Sequence, residues 1–130
     1  MVWLDGDSVT IRAYTRGELR KIRSEIPDPC PEWPELIEDI AEQIVSIECS
    51  GELAGVAALI DSEVVAAFDR QKMRGHSRKL VAACRKKLDS WGAVTASCPI
   101  GDRHSTVWLV ALGFTITGQD ESDVLFSRGG

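Results

Sequence analysis

The chain has 130 residues, of which 44% are hydrophobic and 27% charged, and its formal net charge is −5. This is ordinary globular composition, which excludes a disordered, collagen-like or low-complexity chain. No apolar run reaches the roughly 18 residues that a membrane span needs. Residues 1–7 also lack the basic stretch and apolar core of a signal peptide. We therefore expect one cytoplasmic domain over residues 1–130.

Charge is distributed unevenly along the chain. Residues 25–52, the acidic segment, carry nine acidic side chains and no Lys or Arg. Residues 70–87, the basic segment, carry eight of the fifteen basic side chains. A local basic segment on an acidic chain indicates a small anionic ligand more than a long polyanion. The acidic balance and the 6% aromatic content place nucleic-acid binding last among the functions considered.

The four cysteines do not form a metal-binding pattern. Cys30, Cys49, Cys84 and Cys98 contain no CxxC pair, and neither histidine lies at ligand spacing from a cysteine. We expect no metal, and free thiols that are buried in apolar segments.

The first half of the chain predicts two helices after an initial strand, and then a run of strands. Residues 8–13 alternate between polar and apolar, and Thr15 with Glu18 forms the pattern of a capping box. Three prolines within residues 26–31 must break the helix that follows. The predicted elements are strand 8–13, helix 15–25, helix 32–43 and strands 44–48, 53–60 and 64–68.

The second half predicts two strand–helix steps and a closing hairpin. After a basic loop over 69–76, residues 77–91 place Leu80, Cys84 and Leu88 on one helical face, and Gly92 ends the helix. The remaining predictions are strand 93–98, helix 102–112 with Val107 and Trp108 facing inward, and strands 114–117 and 124–126. The fold class is α/β: one mixed sheet of about seven mostly antiparallel strands with about four helices.

This order of elements resembles the GCN5-related N-acetyltransferase (GNAT) fold over most of the chain. The first motif of that family is Gln or Arg, two residues, Gly, one residue, and Gly or Ala, between the fourth strand and a helix. The stretch Lys72-Met73-Arg74-Gly75-His76-Ser77 matches at Gly75, with Lys72 and Ser77 replacing the usual ends. Free amides at a helix N-terminus bind phosphate, and glycine permits close approach.

The second landmark of the family is an asparagine eleven residues before a Gly-Phe pair. Gly113-Phe114 is present, and the matching position is Asp102. Seven residues later, where the family often has a tyrosine that protonates the leaving thiolate, this chain has Leu109; Tyr14 is its one tyrosine. The resemblance implies acetyl-CoA as cofactor, bound by Lys72, Arg74, Gly75, His76, Ser77, Arg78 and Asp102.

A base for the acceptor amine is harder to assign. Glu48 and Glu63 are the candidates, because carboxylates on or beside central strands can face the cleft. Each can equally be an exposed charge at a strand end. His104, in the first turn of the last helix, has suitable chemistry, but surface or capping positions are common for such a residue.

Two functions therefore compete. The first is a GNAT-like acyl-CoA-binding protein, an N-acetyltransferase with weakened catalytic motifs that acts on an amine substrate. The second is a non-catalytic GNAT-fold phage protein, in the virion or bound to a host factor, which would use the acidic segment to contact a protein partner. Leucine at the tyrosine position and the stretch 103–109 resemble small phage acetyltransferase-like proteins. Edge strands of such a sheet can also pair between two copies, so a homodimer stays open.

Overall fold

The computed structural model describes residues 9–22 and 33–129. Its described elements, in chain order, are β1 (Val9–Ala13), α1 (Glu18–Ile22), α2 (Trp33–Ile40), β2 (Gln43–Cys49), β3 (Glu52–Ile60), β4 (Glu63–Phe68), α3 (Arg70–Met73), α4 (Ser77–Trp91), β5 (Val94–Pro99), α5 (Arg103–Ala111), β6 (Thr115–Gln119) and β7 (Asp123–Arg128). The proline-rich break and Cys30 lie outside the described residues. None of the described helices is long and apolar enough to cross a bilayer.

The seven strands form one sheet in the order β1-β2-β3-β4-β5-β7-β6. β4 and β5 are parallel, and every other neighbouring pair is antiparallel. The predicted fold class, a mixed sheet of about seven mostly antiparallel strands, is confirmed. The helices number five in the described part of the chain, because the basic loop contains the short helix α3.

β4 and β5 hold together only at their first residues. Glu63 lies opposite Thr95, and the Thr95 amide donates to the Ser62 carbonyl over 2.8 Å. By contrast, β3 pairs with β4 over six positions, from Gly55 with Phe68 to Ile60 with Glu63. Because no ladder continues beyond the first pair, the two parallel strands diverge towards their carboxyl ends.

The sheet has a hydrophobic layer on each face. On one face, α1 and α2 bury Leu19, Ile22 and Ile37 against Val56, Ala58 and Ala67. On the other, α4 and α5 pack against the sheet in two clusters, with Leu80 and Cys84 in one and Leu88 in the other. The thiols of Cys49, Cys84 and Cys98 are free and buried, which confirms the prediction for these three.

Local sequence signals explain where several elements begin and end. The Thr15 amide donates to Glu18 Oε1 over 2.8 Å, which is one half of the predicted capping box, whereas the Glu18 amide donates to the Thr15 backbone carbonyl over 3.1 Å. Gly92 ends α4 with a φ of +79°. The prediction of a loop over 69–76 was wrong at residues 70–73. There the side chain of Asp69 accepts the amides of Gln71 and Lys72 and caps a single helical turn.

The inward face of α5 also differs from the prediction. Val107 is 66% exposed, whereas Trp108 and Leu112 pack against the α4 layer. Successive helical residues differ by about 100° in direction, so Val107 and Trp108 cannot both face the sheet squarely. Leu112 lies about 40° around the helix from Trp108 and Leu109 about 60° beyond Leu112, and both pack against the cluster that contains Leu88.

Candidate functional site

The divergence of β4 and β5 opens a cavity of about 430 Å³ on the α4/α5 face of the sheet. Val64, Ala66 and Phe68 of β4 line one side, and Ala96 and Cys98 of β5 line the other. Apolar side chains from α4 and α5 cover it. Its polar side chains include a group beside the carboxyl ends of the two strands, at what we call the mouth of the cavity: Arg70, Asp102, His104 and Ser105.

The start of α4 presents unused hydrogen-bond donors. The His76 amide donates to the Met73 carbonyl over 3.0 Å. The amides of Gly75, Ser77, Arg78 and Lys79 donate to no described residue, and no side chain caps the helix there. Gly75 has a φ of +84°, which glycine adopts without strain. Four free amides at the positive end of a fifteen-residue helix form a site suited to an anion.

The same loop carries cations that lack carboxylate partners. Lys72, Arg74, Arg78 and Lys79 are exposed, and none forms an ion pair with a described residue. A positive charge that is not neutralised within the protein strengthens the attraction of the free amides for phosphate. Lys72, Arg74, Gly75, Ser77 and Arg78 thus lie within one loop and helix start, and their role in binding a cofactor stays a prediction.

His76 is oriented partly away from this group. Its Nε2 lies 3.4 Å from Ser50 Oγ, in the turn between β2 and β3. Its Nδ1 is buried and has no partner in the described structure. The ring therefore links the loop to a neighbouring turn, while the His76 backbone stays beside the free amides.

Asp102 lies at the mouth of the cavity and caps α5. Its carboxylate accepts the Ser105 amide over 3.1 Å and the Ser105 hydroxyl over 2.7 Å. These hydrogen bonds, aided by the charges of Arg70 and His104, lower the pKa of Asp102. The Asp102 side chain is thus a charged helix cap, and it attracts the positive charge of Arg70, which also lines the mouth of the cavity.

Neither predicted base lines the cavity. Glu48 pairs with Arg12, whose Nε lies 2.8 Å from Glu48 Oε2. Glu63 is exposed at the closed end of the β4/β5 divergence, where it lies opposite Thr95. Neither carboxylate thus belongs to the lining of the cavity, and their catalytic role stays a prediction.

The cavity also lacks a phenol in the described structure. Leu109 lines it at the position where the family often has tyrosine. The Tyr14 hydroxyl instead donates to Glu38 and accepts the Leu19 amide over 3.0 Å, on the α1/α2 face. The pKa of Tyr14 is raised to about 12, first by burial and then by its bond to Glu38. Among the described residues, the hydroxyl and imidazole groups that line the cavity instead belong to Ser97, Ser105 and His104.

Sequence reasoning missed the contribution of Arg70 and of the aromatic pair beside the cavity. Phe68 of β4 and Trp108 of α5 are stacked with ring centroids 6.3 Å apart, and both line the cavity. The available signal was position: Phe68 and Arg70 flank the end of β4, where a ligand-binding crevice is expected in such sheets. For Trp108, the available signal was its position directly before Leu109 in the sequence.

The acidic segment is largely neutralised in the described residues. Glu35 pairs with Arg20, Glu38 and Asp39 lie 3.2 and 3.5 Å from Arg16, and Glu48 pairs with Arg12. These carboxylates of α2 and β2 are thus bound to arginines of β1, of α1 and of the turn between them. This pairing removes much of the charge on which a partner-binding acidic surface would depend.

Comparison with solved structures identifies the fold. The dodecameric spermidine N-acetyltransferase of Vibrio cholerae is 17% identical, with 92% of each chain covered and a TM-score of 0.65. The IAA acetyltransferase of Bacillus cereus is 12% identical, with 93% of this chain and 99% of that chain covered and a TM-score of 0.70. An acetyltransferase of Bacillus subtilis in complex with CoA is 16% identical, covers 94% and 97%, and has a TM-score of 0.67.

These matches extend over nearly the whole of both chains. No protein-family model matches the sequence, and no curated protein does. The chain has the GNAT fold, as the order of its elements and the loop at Gly75 predicted.

Proposed function

We propose that the chain binds acetyl-CoA and transfers its acetyl group to an amine, with slow chemistry. The observation that carries this proposal is the set of free amides at Gly75, Ser77, Arg78 and Lys79, beside a cavity between diverging strands and beside cations that form no ion pair with a described residue. The free amides and the cations suit an anionic diphosphate. The cavity suits the slender, mostly apolar arm that joins the diphosphate of CoA to its thioester. The acetyltransferase of Bacillus subtilis, which has a similar fold, was solved in complex with CoA.

The residues of this chain divide the work as follows. Gly75, Ser77 and the side chains of Arg74 and Arg78 would hold the diphosphate, with Lys72 adding charge. Bound acetyl-CoA would supply a thioester, whose acyl carbon forms a C–N bond with the amine as the C–S bond breaks. The nitrogen gives up one proton, to a base or to water, and the thiolate takes up one proton. Leu109 cannot give that proton, so the chain offers weak assistance to the leaving group.

Asp102 has a different part in this proposal from the one that the resemblance implied. A carboxylate repels an anionic ligand, and both of its oxygens already accept hydrogen bonds from Ser105. Asp102 would keep the start of α5 fixed at the mouth of the cavity rather than bind the cofactor through its side chain.

Calorimetric titration with acetyl-CoA tests the binding step. A ligand at about 100 times its dissociation constant should raise the unfolding free energy by about 2.7 kcal/mol. Arg78→Gln should weaken binding and reduce its salt dependence, whereas Lys86→Gln, lower on the same helix, should leave both unchanged. An absence of any thermal shift at millimolar acetyl-CoA would contradict the proposal.

The chemical step is followed through release of free CoA in the presence of a panel of primary amines. Glu48 and Glu63 stay proposed bases. Replacing either by glutamine should lower the transfer rate while acetyl-CoA affinity is retained. If both variants transfer as fast as the unmodified chain, neither carboxylate is the base.

A further inference from the structure

The cavity extends well beyond the divergence of β4 and β5. Besides the residues of those two strands, Ile11 of β1, Val45 and Ile47 of β2 and Ala57 of β3 line it. Neighbouring strands lie about 4.8 Å apart, so β1 is roughly 14 Å from β4 across the sheet. We call this extension, between strands β1–β3 and helix α4, the side lobe.

Strand register explains why the side lobe exists. Val45 lies opposite Ala57, and Ala57 lies opposite Ala66, so one row of the sheet carries two alanines in succession. Short side chains in this row leave space beneath α4, where Cys84 and Leu88 also line the cavity. The side lobe therefore joins the divergence at the middle of β4, beside Ala66.

The side lobe accepts only apolar groups. The side chains that β1, β2 and β3 contribute to it are all aliphatic. Burial raises the pKa of the Cys84 thiol to about 12, so this group is neutral at physiological pH. A polar ligand placed there would lose its hydrogen bonds to water without replacement, which is strongly unfavourable. Apolar cavities of this kind instead bind hydrocarbon.

We propose that the side lobe holds the aliphatic chain of an acyl-CoA longer than acetyl. This inference rests on the proposed function, because the anion-binding loop and the cavity mouth would bind the CoA portion. One ligand would then occupy both parts of the site. Its polyanionic head would lie at the free amides of α4, and its apolar tail would lie in the side lobe, between the sheet and α4. The natural donor would be a thioester of medium chain length.

Isothermal titration with CoA, acetyl-CoA, butyryl-CoA, hexanoyl-CoA and octanoyl-CoA tests the proposal without depending on turnover. Burial of each methylene should tighten binding by about fourfold until the lobe is full. Allowing for incomplete burial, hexanoyl-CoA should bind at least about tenfold more tightly than acetyl-CoA. Equal affinities across the series would overturn the inference.

The series separates the two proposals. If CoA and acetyl-CoA bind but longer chains bind no better, the side-lobe proposal fails and the proposed function stands. If none of the five ligands binds, both fail.

A matched pair of variants locates the tail. Ala57→Leu fills the side lobe, and Val107→Leu enlarges a side chain that is 66% exposed on α5. The first should reduce the advantage of hexanoyl-CoA to below threefold while CoA itself binds as before, and the second should leave the advantage intact. An unchanged advantage in folded Ala57→Leu would overturn the inference. If that variant does not fold, the ligand series on the unmodified chain decides.

Discussion

Replacing Gly75 by alanine tests whether the loop before α4 binds a diphosphate. Gly75 has a φ of +84°, and a Cβ built on it meets no heavy atom within 4 Å. The variant therefore keeps its packing and acquires only the strain of a left-handed alanine, about 1–2 kcal/mol. The added methyl group would occupy open space beside the amide of Gly75 itself, where a phosphate that binds this amide must approach closely.

The expected magnitude follows from mass action. At an acetyl-CoA concentration about 100 times the dissociation constant, the unmodified chain should gain about 2.7 kcal/mol of unfolding free energy. A tenfold loss of affinity in Gly75→Ala lowers that gain to about 1.4 kcal/mol at the same concentration. Urea unfolding curves recorded with and without acetyl-CoA measure both gains.

Gly17→Ala is the matched control. Gly17 has a φ of +97°, its Cβ would also meet nothing within 4 Å, and it lies beside α1 on the other face of the sheet. It should lose similar stability without ligand and keep the full gain with ligand. If Gly75→Ala also keeps the full gain, the diphosphate does not bind at this loop.

Three further changes probe the fold and the chemistry. Glu18→Gln should cost about 3 kcal/mol at pH 7, at about 1.4 kcal/mol per pKa unit, because a hydrogen bond from Arg12 lowers the pKa of Glu18 to about 2. Since the folded-state pKa is depressed from 4.5, this advantage is complete above about pH 4.5 and disappears towards pH 2; unfolding midpoints that differ equally at all pH values would contradict it. Gly55→Ala places a Cβ 2.4 Å from Phe68 Cδ1, so urea unfolding should show a loss of about 1–3 kcal/mol, and an unchanged midpoint would refute this close packing. Leu109→Tyr supplies a phenol at the cavity and should raise CoA release up to about a hundredfold with acetyl-CoA affinity little changed; an unchanged rate would mean that leaving-group protonation is not limiting.

Much of the fold was predictable because its signals are local. Alternation identified β1, helical spacing placed Leu80, Cys84 and Leu88 on the buried side of α4, and Gly92 marked its end. The position of the basic loop was also predictable, since its basic residues and Gly75 adjoin a helix start in the sequence, and its binding of an anion stays a proposal.

The rest depends on contacts between distant residues. The side lobe arises from a register that aligns Val45, Ala57 and Ala66, and no single strand reveals that alignment. The neutralisation of the acidic segment likewise depends on Arg12 and Arg16, which the fold brings beside α2 and β2. Helix α3 formed where a loop was predicted because one Asp69 side chain outweighed the general character of a basic stretch.

Titration of the ¹⁵N-labelled chain with acetyl-CoA, followed by amide NMR, tests the central claim most directly. If the free amides of α4 bind the diphosphate, the resonances of Gly75, Ser77, Arg78 and Lys79 should shift most and saturate together. Resonances of β4 and β5 should follow them. Saturable binding that leaves these four amides unmoved, or no binding at millimolar ligand, would contradict the account.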